Sequence, residues 1–288
     1  MTLAGTVVAA YGRQYRVELS DGVVLLCFPR AKKSDLACGD RVTIQQTSAN
    51  QGVICSIDAR RTLLYRSDHF KQKLIAANVT QVVIVVATEP SFCDELVSRC
   101  IVAAENQDIE VLIVLNKCDL SDRVAAASAA LAQYAKLGYR VVKLCARQDS
   151  DQLLPYLANH VSLLIGQSGM GKSTLINALI PDAGAKTREI SQALNTGKHT
   201  TTHARLYHLG IASALIDSPG LTEFGLHHLS PEDIALAFLE LRPLLGSCRF
   251  RNCRHDREPD CSVHAALEHG DIDPRRYAAF RSLCAELG

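Results

Sequence analysis

The chain has 288 residues, of which 48% are hydrophobic, and a formal net charge of +1 at pH 7. This length suffices for about two domains of roughly 150 residues each. The near-neutral charge excludes a protein that binds nucleic acid as a polycation along its whole length, so such a partner would need a local basic patch. No apolar run approaches the ~20 residues of a membrane-spanning helix.

The chain contains 11 cysteines, an odd number, and those before residue 248 are scattered singly. This is not the pattern of a disulfide framework, so a reducing compartment is the better interpretation. The first residues lack the basic and apolar segments of a signal peptide. We therefore expect a soluble, cytoplasmic protein, with a monomer as the default state.

Residues 3 to about 60 alternate apolar and polar side chains, with turn residues at short intervals. Asp21-Gly22 separates two such runs and is a strong hairpin signal. The predicted strands are Tyr15–Ser20, Val23–Phe28, Arg41–Gln45 and Val53–Ile57. Four or five short strands with tight turns predict a small β-barrel of the OB type, which we assign to residues 1–66.

This first segment has a modest excess of positive charge. Its first 71 residues contain ten Lys and Arg against six Asp and Glu, and Arg30, Lys32 and Lys33 form a cluster. OB-type barrels often bind nucleic acid through one face and its loops. Phe28 and Tyr15 could stack on bases, although core positions are the commoner role for such residues.

From about residue 73 the pattern changes to α/β alternation. The continuous apolar runs Val82–Ala87 and Val111–Leu115 are typical of strands buried on both faces of a parallel sheet. Helices are predicted at 95–107 and 123–137, with further strands at 141–144, 161–165 and 213–217. We assign residues 67–228 to an α/β nucleotide-binding domain and 229–288 to a helical, zinc-binding domain.

Residues 166–173 match the phosphate-loop pattern G-x-x-x-x-G-K-S, between an apolar strand and the predicted helix Lys172–Leu179. Glycines let backbone N–H groups turn inward around phosphate oxygens, and the helix N-terminus adds positive potential. Lys172 would reach the β and γ phosphates, and Ser173 would bind Mg²⁺. The predicted phosphate-binding residues are Gly166, Gln167, Ser168, Gly169, Met170, Gly171, Lys172, Ser173 and Thr174.

The residues Asn-Lys-Cys-Asp at 116–119 match the guanine-reading pattern N-K-x-D and follow an apolar strand. The Asp119 carboxylate can accept hydrogen bonds from the guanine N1–H and 2-amino groups, which adenine lacks. Cys145 and Ala146 match the loop whose backbone contacts the guanine carbonyl. The predicted base-binding residues are Asn116, Lys117, Asp119, Cys145 and Ala146.

The order of these two motifs is reversed relative to an ordinary small GTPase, in which the phosphate loop comes first. The reversal predicts a circularly permuted P-loop GTPase domain. It also places the C-terminal part of the chain directly after the switch regions.

Two further segments carry switch-like residues. Asp217-Ser-Pro-Gly220 reads D-x-x-G, so Asp217 could hold Mg²⁺ through water and the Gly220 N–H could bind the γ-phosphate. Residues 197–203 form a loop rich in threonine hydroxyls, which suits a switch that ligates Mg²⁺ only when a γ-phosphate is present.

The hydrolytic residues are less clearly marked. Leu221 occupies the position where many GTPases carry a glutamine that orients water. Because leucine cannot polarise water, we expect slow intrinsic turnover. His199 is a candidate for orienting the attacking water, with a solvated loop histidine as the alternative.

A metal-binding pattern lies near the C-terminus. Cys248, Cys253, His255 and Cys261 give three thiolates and one imidazole within 14 residues, a set that favours one structural Zn²⁺ in a closed tetrahedral site. His264 and Cys284 are alternative ligands. Arginines and acidic residues lie between these ligands. They could form a solvated face of mixed charge or contact RNA, and the sequence favours neither.

Taken together, these motifs resemble the RsgA family of small ribosomal subunit biogenesis GTPases, over essentially the whole chain. The resemblance implies GTP hydrolysis stimulated by the small ribosomal subunit, a role in its late maturation, and contact with its rRNA through the barrel and zinc domains. It also implies that His199 is the catalytic histidine and Thr201 the key switch threonine, a ligand of Mg²⁺. Leu221 departs mildly from the family, which often has phenylalanine there.

Two other functions stay open at this point. An RNA-binding assembly factor could use GTP mainly as a structural or switch ligand. Leu221 is consistent with that alternative, because leucine cannot polarise water for hydrolysis. A GTP-driven metal chaperone is weaker, because the cysteine set is closed rather than exchangeable.

Overall fold

The computed structural model describes residues 2–30, 35–67, 72–180, 204–218 and 224–287. Within these ranges the strands are β1 Thr2–Tyr11, β2 Gln14–Leu19, β3 Val24–Pro29, β4 Arg41–Ser48, β5 Gln51–Ile57, β6 Leu63–Ser67, β7 Gln72–Ala77, β8 Gln81–Ala87, β9 Glu110–Asn116, β10 Arg140–Lys143, β11 Val161–Ile165, β12 Arg205–His208 and β13 Ala214–Asp217. The α-helices are α1 Asp94–Glu105, α2 Ser121–Lys136, α3 Leu154–Leu157, α4 Lys172–Leu179, α5 Pro231–Ala237, α6 Ser262–His269 and α7 Pro274–Ala285. None of them is long and apolar enough to cross a lipid bilayer.

The first five strands close into the predicted barrel. β1 pairs antiparallel with both β2 and β4, β2 pairs with β3, and the circle is completed by the parallel pair β3–β5 and the antiparallel pair β4–β5. The hairpin at Asp21-Gly22 is confirmed, because the Gly22 N–H donates to the Leu19 carbonyl at 3.0 Å. Tyr15 lies in the barrel core, whereas Phe28 is on the outer surface with 36% of its area exposed.

The remaining large strands form the predicted parallel sheet, in the order β10-β9-β8-β11-β13-β12. All neighbours in this order are parallel except β12, which runs antiparallel to β13. β12 also meets β1 at the pair Arg205 and Ala9, so the barrel continues the edge of the sheet. The carboxyl ends of β8, β9, β11 and β13 consequently meet along one edge, where ligands bind in open α/β sheets.

Helices cover both faces of this sheet. Alternate residues of β8 point to opposite faces: Val82 and Ile84 belong to the core cluster under α1 and α2, and Val83 and Val85 to the cluster under α3 and α4. This double cover explains why these strands read as continuous apolar runs. The observed α1, α2 and α4 agree with the predicted helices within two residues at each end.

The C-terminal helices pack on the same face as α1. α7 lies against α1, and Phe238, Phe280 and Leu283 join Val97 and Ile101 in one hydrophobic cluster. The C-terminal segment therefore shares its core with the helix that follows β8.

Candidate functional site

The phosphate loop connects β11 to α4 and needs glycine at two positions. Gly166 has φ +156° and Gly171 has φ +92°, in the region that favours glycine. A Cβ on Gly166 would lie 2.2 Å from the Val85 carbonyl oxygen, and one on Gly171 would lie 2.3 Å from the Asn116 side-chain nitrogen. The N-terminus of α4 has no side-chain cap, which leaves its N–H groups available to an anion.

Lys172, the first residue of α4, folds back over this loop. Its Nζ donates to the carbonyl of Gly166 and, at 3.0 Å, to that of Gln167. Burial lowers the pKa of Lys172, and the nearby carboxylate of Asp217 opposes that shift. A phosphate would be a stronger acceptor than two carbonyls and would stabilise the charged ammonium.

Asp217 ends β13, next to the strand that enters the phosphate loop. Burial raises the pKa of Asp217, and Lys172 opposes the rise. The two side chains therefore interact across the carboxyl ends of adjacent strands. The partly buried carboxylate suits a divalent cation, because a bound cation would favour its ionised form.

Asn116 joins the two predicted motifs. Its side chain is 2% exposed, donates through Nδ2 to the Met170 carbonyl at 2.9 Å, and accepts the Ala146 N–H at Oδ1, also at 2.9 Å. The structure thus brings the base-reading motif, the phosphate loop and the 145–146 loop together around one side chain.

Lys117 adopts a left-handed backbone conformation with φ +61°. Its carbonyl accepts a hydrogen bond from the buried Thr88 hydroxyl at 3.0 Å, and its Nζ donates to the Glu89 carbonyl at 2.6 Å. Thr88 was not among the predicted site residues. The signal that could have identified it is its position, since it is a polar residue directly after β8, the strand beside β9.

The loop at Cys145 and Ala146 is closed by a carboxylate that the sequence did not mark. The Cys145 N–H donates to Asp149 Oδ1 at 2.6 Å. The Cys118 N–H donates to the Leu144 carbonyl at 3.2 Å, which ties this loop to the N-K-x-D turn.

Some of the other predicted nucleotide residues lie within the described residues, and the rest lie outside them. Asp119, Ser168 and Ser173 are exposed at the same edge of the sheet, where a ligand could reach them. Gln167 accepts the Cys93 N–H at its side chain, at 3.3 Å. The predicted switch and hydrolytic residues His199, Thr201, Gly220 and Leu221 lie outside the described residues.

The cysteine and histidine cluster assembles as predicted. The ligand atoms of Cys248, Cys253, His255 and Cys261 all lie within 4.8 Å of one another. Cys248 Sγ is 3.8 Å from Cys261 Sγ, and His255 Nδ1 is 3.4 Å from Cys261 Sγ. Two sulfurs bound tetrahedrally to one zinc at about 2.3 Å would be roughly 3.8 Å apart. The donor set and its spacing fit a four-coordinate Zn²⁺.

The electrostatics of the cluster also favour a cation. Burial, followed by the neighbouring thiols, raises the pKa of Cys253 to about 12, so adjacent thiolates need a compensating positive charge. Burial lowers the pKa of His255, which keeps its imidazole neutral and able to bind a metal. The alternative ligand His264 hydrogen-bonds instead to the Tyr277 hydroxyl, at 2.9 Å.

The acidic residues of this loop are engaged locally. Asp260 pairs with Arg249 and Asp256 with Arg281, each at 2.9 Å. Glu258 accepts three backbone N–H groups of its own loop, and these lower its pKa to about 2. These acidic side chains thus hold the loop around the cluster in place.

The chain is similar to known proteins along its whole length. The sequence profile of the RsgA GTPase family matches residues 57–227. Small ribosomal subunit biogenesis GTPase RsgA of Nitrosospira multiformis is 53% identical over 285 residues, which cover 99% of this chain and 91% of that protein. The Ralstonia pickettii protein of the same name is 52% identical over 290 residues, with coverages of 98% and 92%.

Two solved structures share the fold. YjeQ from Thermotoga maritima superposes with a TM-score of 0.76 and 29% identity, covering 100% of this chain and 99% of the other. YloQ, described as a circularly permuted GTPase, superposes with a TM-score of 0.74 and 26% identity, with coverages of 100% and 95%. These similarities confirm the permuted arrangement predicted from the motif order.

Proposed function

The chain belongs to the RsgA GTPase family and is a GTP hydrolase of small ribosomal subunit biogenesis, and we propose that the subunit stimulates its turnover late in maturation. One observation carries the nucleotide-binding part of this function. Asn116 holds a guanine-reading motif and a phosphate loop in contact at the carboxyl edge of one sheet, although the chain presents them in reverse order.

The nucleotide contacts follow from the positions of the side chains. Asp119 would accept the guanine N1–H and 2-amino groups, and the Cys145–Ala146 backbone would donate to the 6-oxo group. The backbone from Gly166 to Thr174 would surround the phosphates, and Lys172 would exchange its two carbonyl acceptors for phosphate oxygens.

Magnesium would be held by Ser173 and Asp217 in every nucleotide state, with Thr201 added in the GTP state. The position of Asp217 beside the phosphate loop and its raised pKa support this assignment, because a bound cation would offset the cost of an ionised carboxylate at this partly buried position. When bound, the ion would neutralise charge on the phosphates.

Turnover would be slow in the isolated protein. Leu221 has no group that orients water, so His199 would have to do so. We propose that contact with the small subunit places His199 against the attacking water and so raises the hydrolysis rate.

The two domains outside the GTPase domain would bind the partner. We propose that residues 1–66 and 229–288 flank the GTPase domain at 67–228 and both contact rRNA in the cytoplasm, with the protein acting as a monomer. The exposed Phe28 and the arginines around the metal cluster support RNA contact. Zn²⁺ on the four cluster residues would hold the second of these surfaces rigid.

A Lys172→Ala variant tests whether turnover is the function. We expect it to lose GTP hydrolysis and to stay bound to small subunits in a release assay, since the switch cannot cycle. The alternative, an RNA-binding assembly factor with GTP as a structural ligand, rests on Leu221. Normal release of the Lys172→Ala protein would favour that alternative.

A further inference from the structure

We propose that Asp149 is a positioning residue for guanine recognition, which fixes the turn that presents the Ala146 N–H to the 6-oxo group of the base. The inference rests on the guanine site proposed above. Asp149 would not touch the nucleotide, and its effect would pass through the backbone of residues 145–149.

Hydrogen bonds close this turn on both sides of Cys145. Its N–H donates to Asp149 Oδ1 at 2.6 Å, a short bond to a charged acceptor. Its carbonyl accepts the N–H groups of Gln148 at 2.9 Å and Asp149 at 3.0 Å. Cys145 and Ala146 are both buried, so the backbone between them has little freedom to find water as a substitute partner.

The orientation of the Asp149 side chain indicates that it serves this turn rather than the helix after it. Asp149 is the N-cap of the 3-10 turn Ser150–Leu153, where an aspartate usually accepts an N–H of the following turn. Here the side chain makes no such capping bond. Its Oδ1 points back to Cys145, and its Oδ2 is 3.4 Å from the Gln152 side-chain amide.

With both backbone groups of Cys145 engaged, Ala146 supplies the next N–H along the loop. That N–H already points at Asn116 Oδ1, at 2.9 Å, beside the base-reading motif. The 6-oxo group of guanine is an acceptor and could share or replace this bond, whereas the 6-amino group of adenine is a donor and could not. A loosened turn should therefore weaken binding of 6-oxo purines selectively.

The test compares three diphosphates on the full-length protein. GDP and IDP carry the 6-oxo group, and the 2-aminopurine riboside diphosphate lacks it. The variants are Asp149→Ala, Asp149→Asn and, as a matched control, Asp151→Ala, which removes an exposed carboxylate two residues further on. Isothermal titration gives each Kd, and thermal melting checks that each variant is folded.

We expect Asp149→Ala to raise the Kd of GDP and of IDP by about tenfold, the size of one lost charge-assisted hydrogen bond. The Kd of the 2-aminopurine nucleotide should stay within about twofold, because that ligand does not use the Ala146 N–H. Asp149→Asn keeps an acceptor for Cys145 and should bind GDP within about threefold of the unaltered protein. Asp151→Ala should change none of the three values. The KM for GTP should rise with Asp149→Ala and stay the same with Asp151→Ala, since the lost interaction is one of nucleotide binding.

An equal loss for all three nucleotides, or no loss with Asp149→Ala, would overturn the inference and leave the proposed function intact. Binding by Asp149→Asn as weak as that of Asp149→Ala, at an unchanged melting temperature, would also overturn it. Failure of the unaltered protein to bind GDP would instead remove the proposed function, and the inference with it.

Discussion

The side-chain amide of Asn116 donates to the carbonyl of Met170 at 2.9 Å, across 54 residues of sequence. The same side chain accepts the Ala146 N–H, so three loops from β9, β10 and β11 meet on one buried residue. A permuted chain can form an ordinary nucleotide site because these loops leave parallel strands of one sheet at the same edge.

We expect Asn116→Ala to weaken GDP binding and to lower the free energy of unfolding by about 1–3 kcal/mol, because it leaves a buried carbonyl and a buried N–H without partners. Asn116→Asp is the matched variant, since it keeps the acceptor for Ala146 and loses the donor to Met170. It should lower the free energy of unfolding at least as much as the alanine variant, because a buried carboxylate oxygen would face the Met170 carbonyl oxygen. Titration calorimetry and urea unfolding measure both effects, and an alanine variant with unchanged GDP affinity would show that Asn116 does not organise the site.

A buried arginine ties the C-terminal helix α7 to the GTPase core. Arg276 is 1% exposed, contacts Glu240 at 2.7 Å and Ser98 at 2.8 Å, and lies over the Phe238 ring. Arg276→Ala would leave the buried Glu240 carboxylate without its ion-pair partner. We therefore expect the free energy of unfolding to fall by about 3–5 kcal/mol.

The neighbouring Arg275 is the control for that loss. It is about half exposed and lies 3.5 Å from Asp94, and its alanine variant should cost about 0–1 kcal/mol. Adding Glu240→Gln to Arg276→Ala should recover part of the loss. Equal costs for the two arginines in urea unfolding would contradict this account of the interface.

The metal prediction depends on Cys261, a buried member of the cluster. We expect Cys261→Ser to lose its zinc, from about one ion per chain, and to lose helical content, because a structural site contributes folding energy directly. Cys284→Ser is the matched control, a partly buried cysteine outside the cluster. Elemental analysis and circular dichroism measure both, and full zinc retention by Cys261→Ser would reject the ligand assignment.

A pH dependence follows from the capping box at the start of α5. The Asp233 carboxylate accepts the Ser230 N–H at 2.8 Å, and Ser230 Oγ accepts the Asp233 N–H at 3.1 Å. The bond from the Ser230 backbone and then that from its hydroxyl lower the pKa of Asp233. Because the folded pKa is depressed, this stabilisation is present above the unfolded value of about 3.9 and is lost as the pH falls through the folded value.

We therefore expect Asp233→Asn to be less stable than the unaltered protein at pH 7, and the difference to shrink as the pH falls below about 4. Ser230→Ala should cost about 1 kcal/mol. Urea unfolding at several pH values tests this, and a stability difference that persists or grows on acidification would contradict the sign.

The sequence predicted those parts of the site that depend on local patterns. The phosphate loop, the N-K-x-D turn and the cysteine spacing each lie within a few residues, and the apolar runs placed the first two at strand ends. The barrel followed from alternation and the Asp21-Gly22 turn. These features need only neighbouring residues to be recognised.

The features that the sequence did not reveal depend on contacts between distant residues. β12 has four residues, and its role as the bridge to the barrel depends on the pairing of Arg205 with Ala9. In the sequence, Arg276 is an ordinary charged residue of a predicted helical segment. In the structure it is buried against Glu240 and Ser98, which are far from it along the chain. Asp149 reads as a helix cap, and only its folded orientation shows the bond to Cys145.

The most direct test of the central claim is steady-state hydrolysis of GTP by the purified protein, with and without isolated small ribosomal subunits, with ATP as the control nucleotide. The account predicts slow GTP turnover alone, strong stimulation by the subunits and no ATP turnover. GTP turnover that the subunits do not change, or ATP turnover equal to that of GTP, would contradict this account.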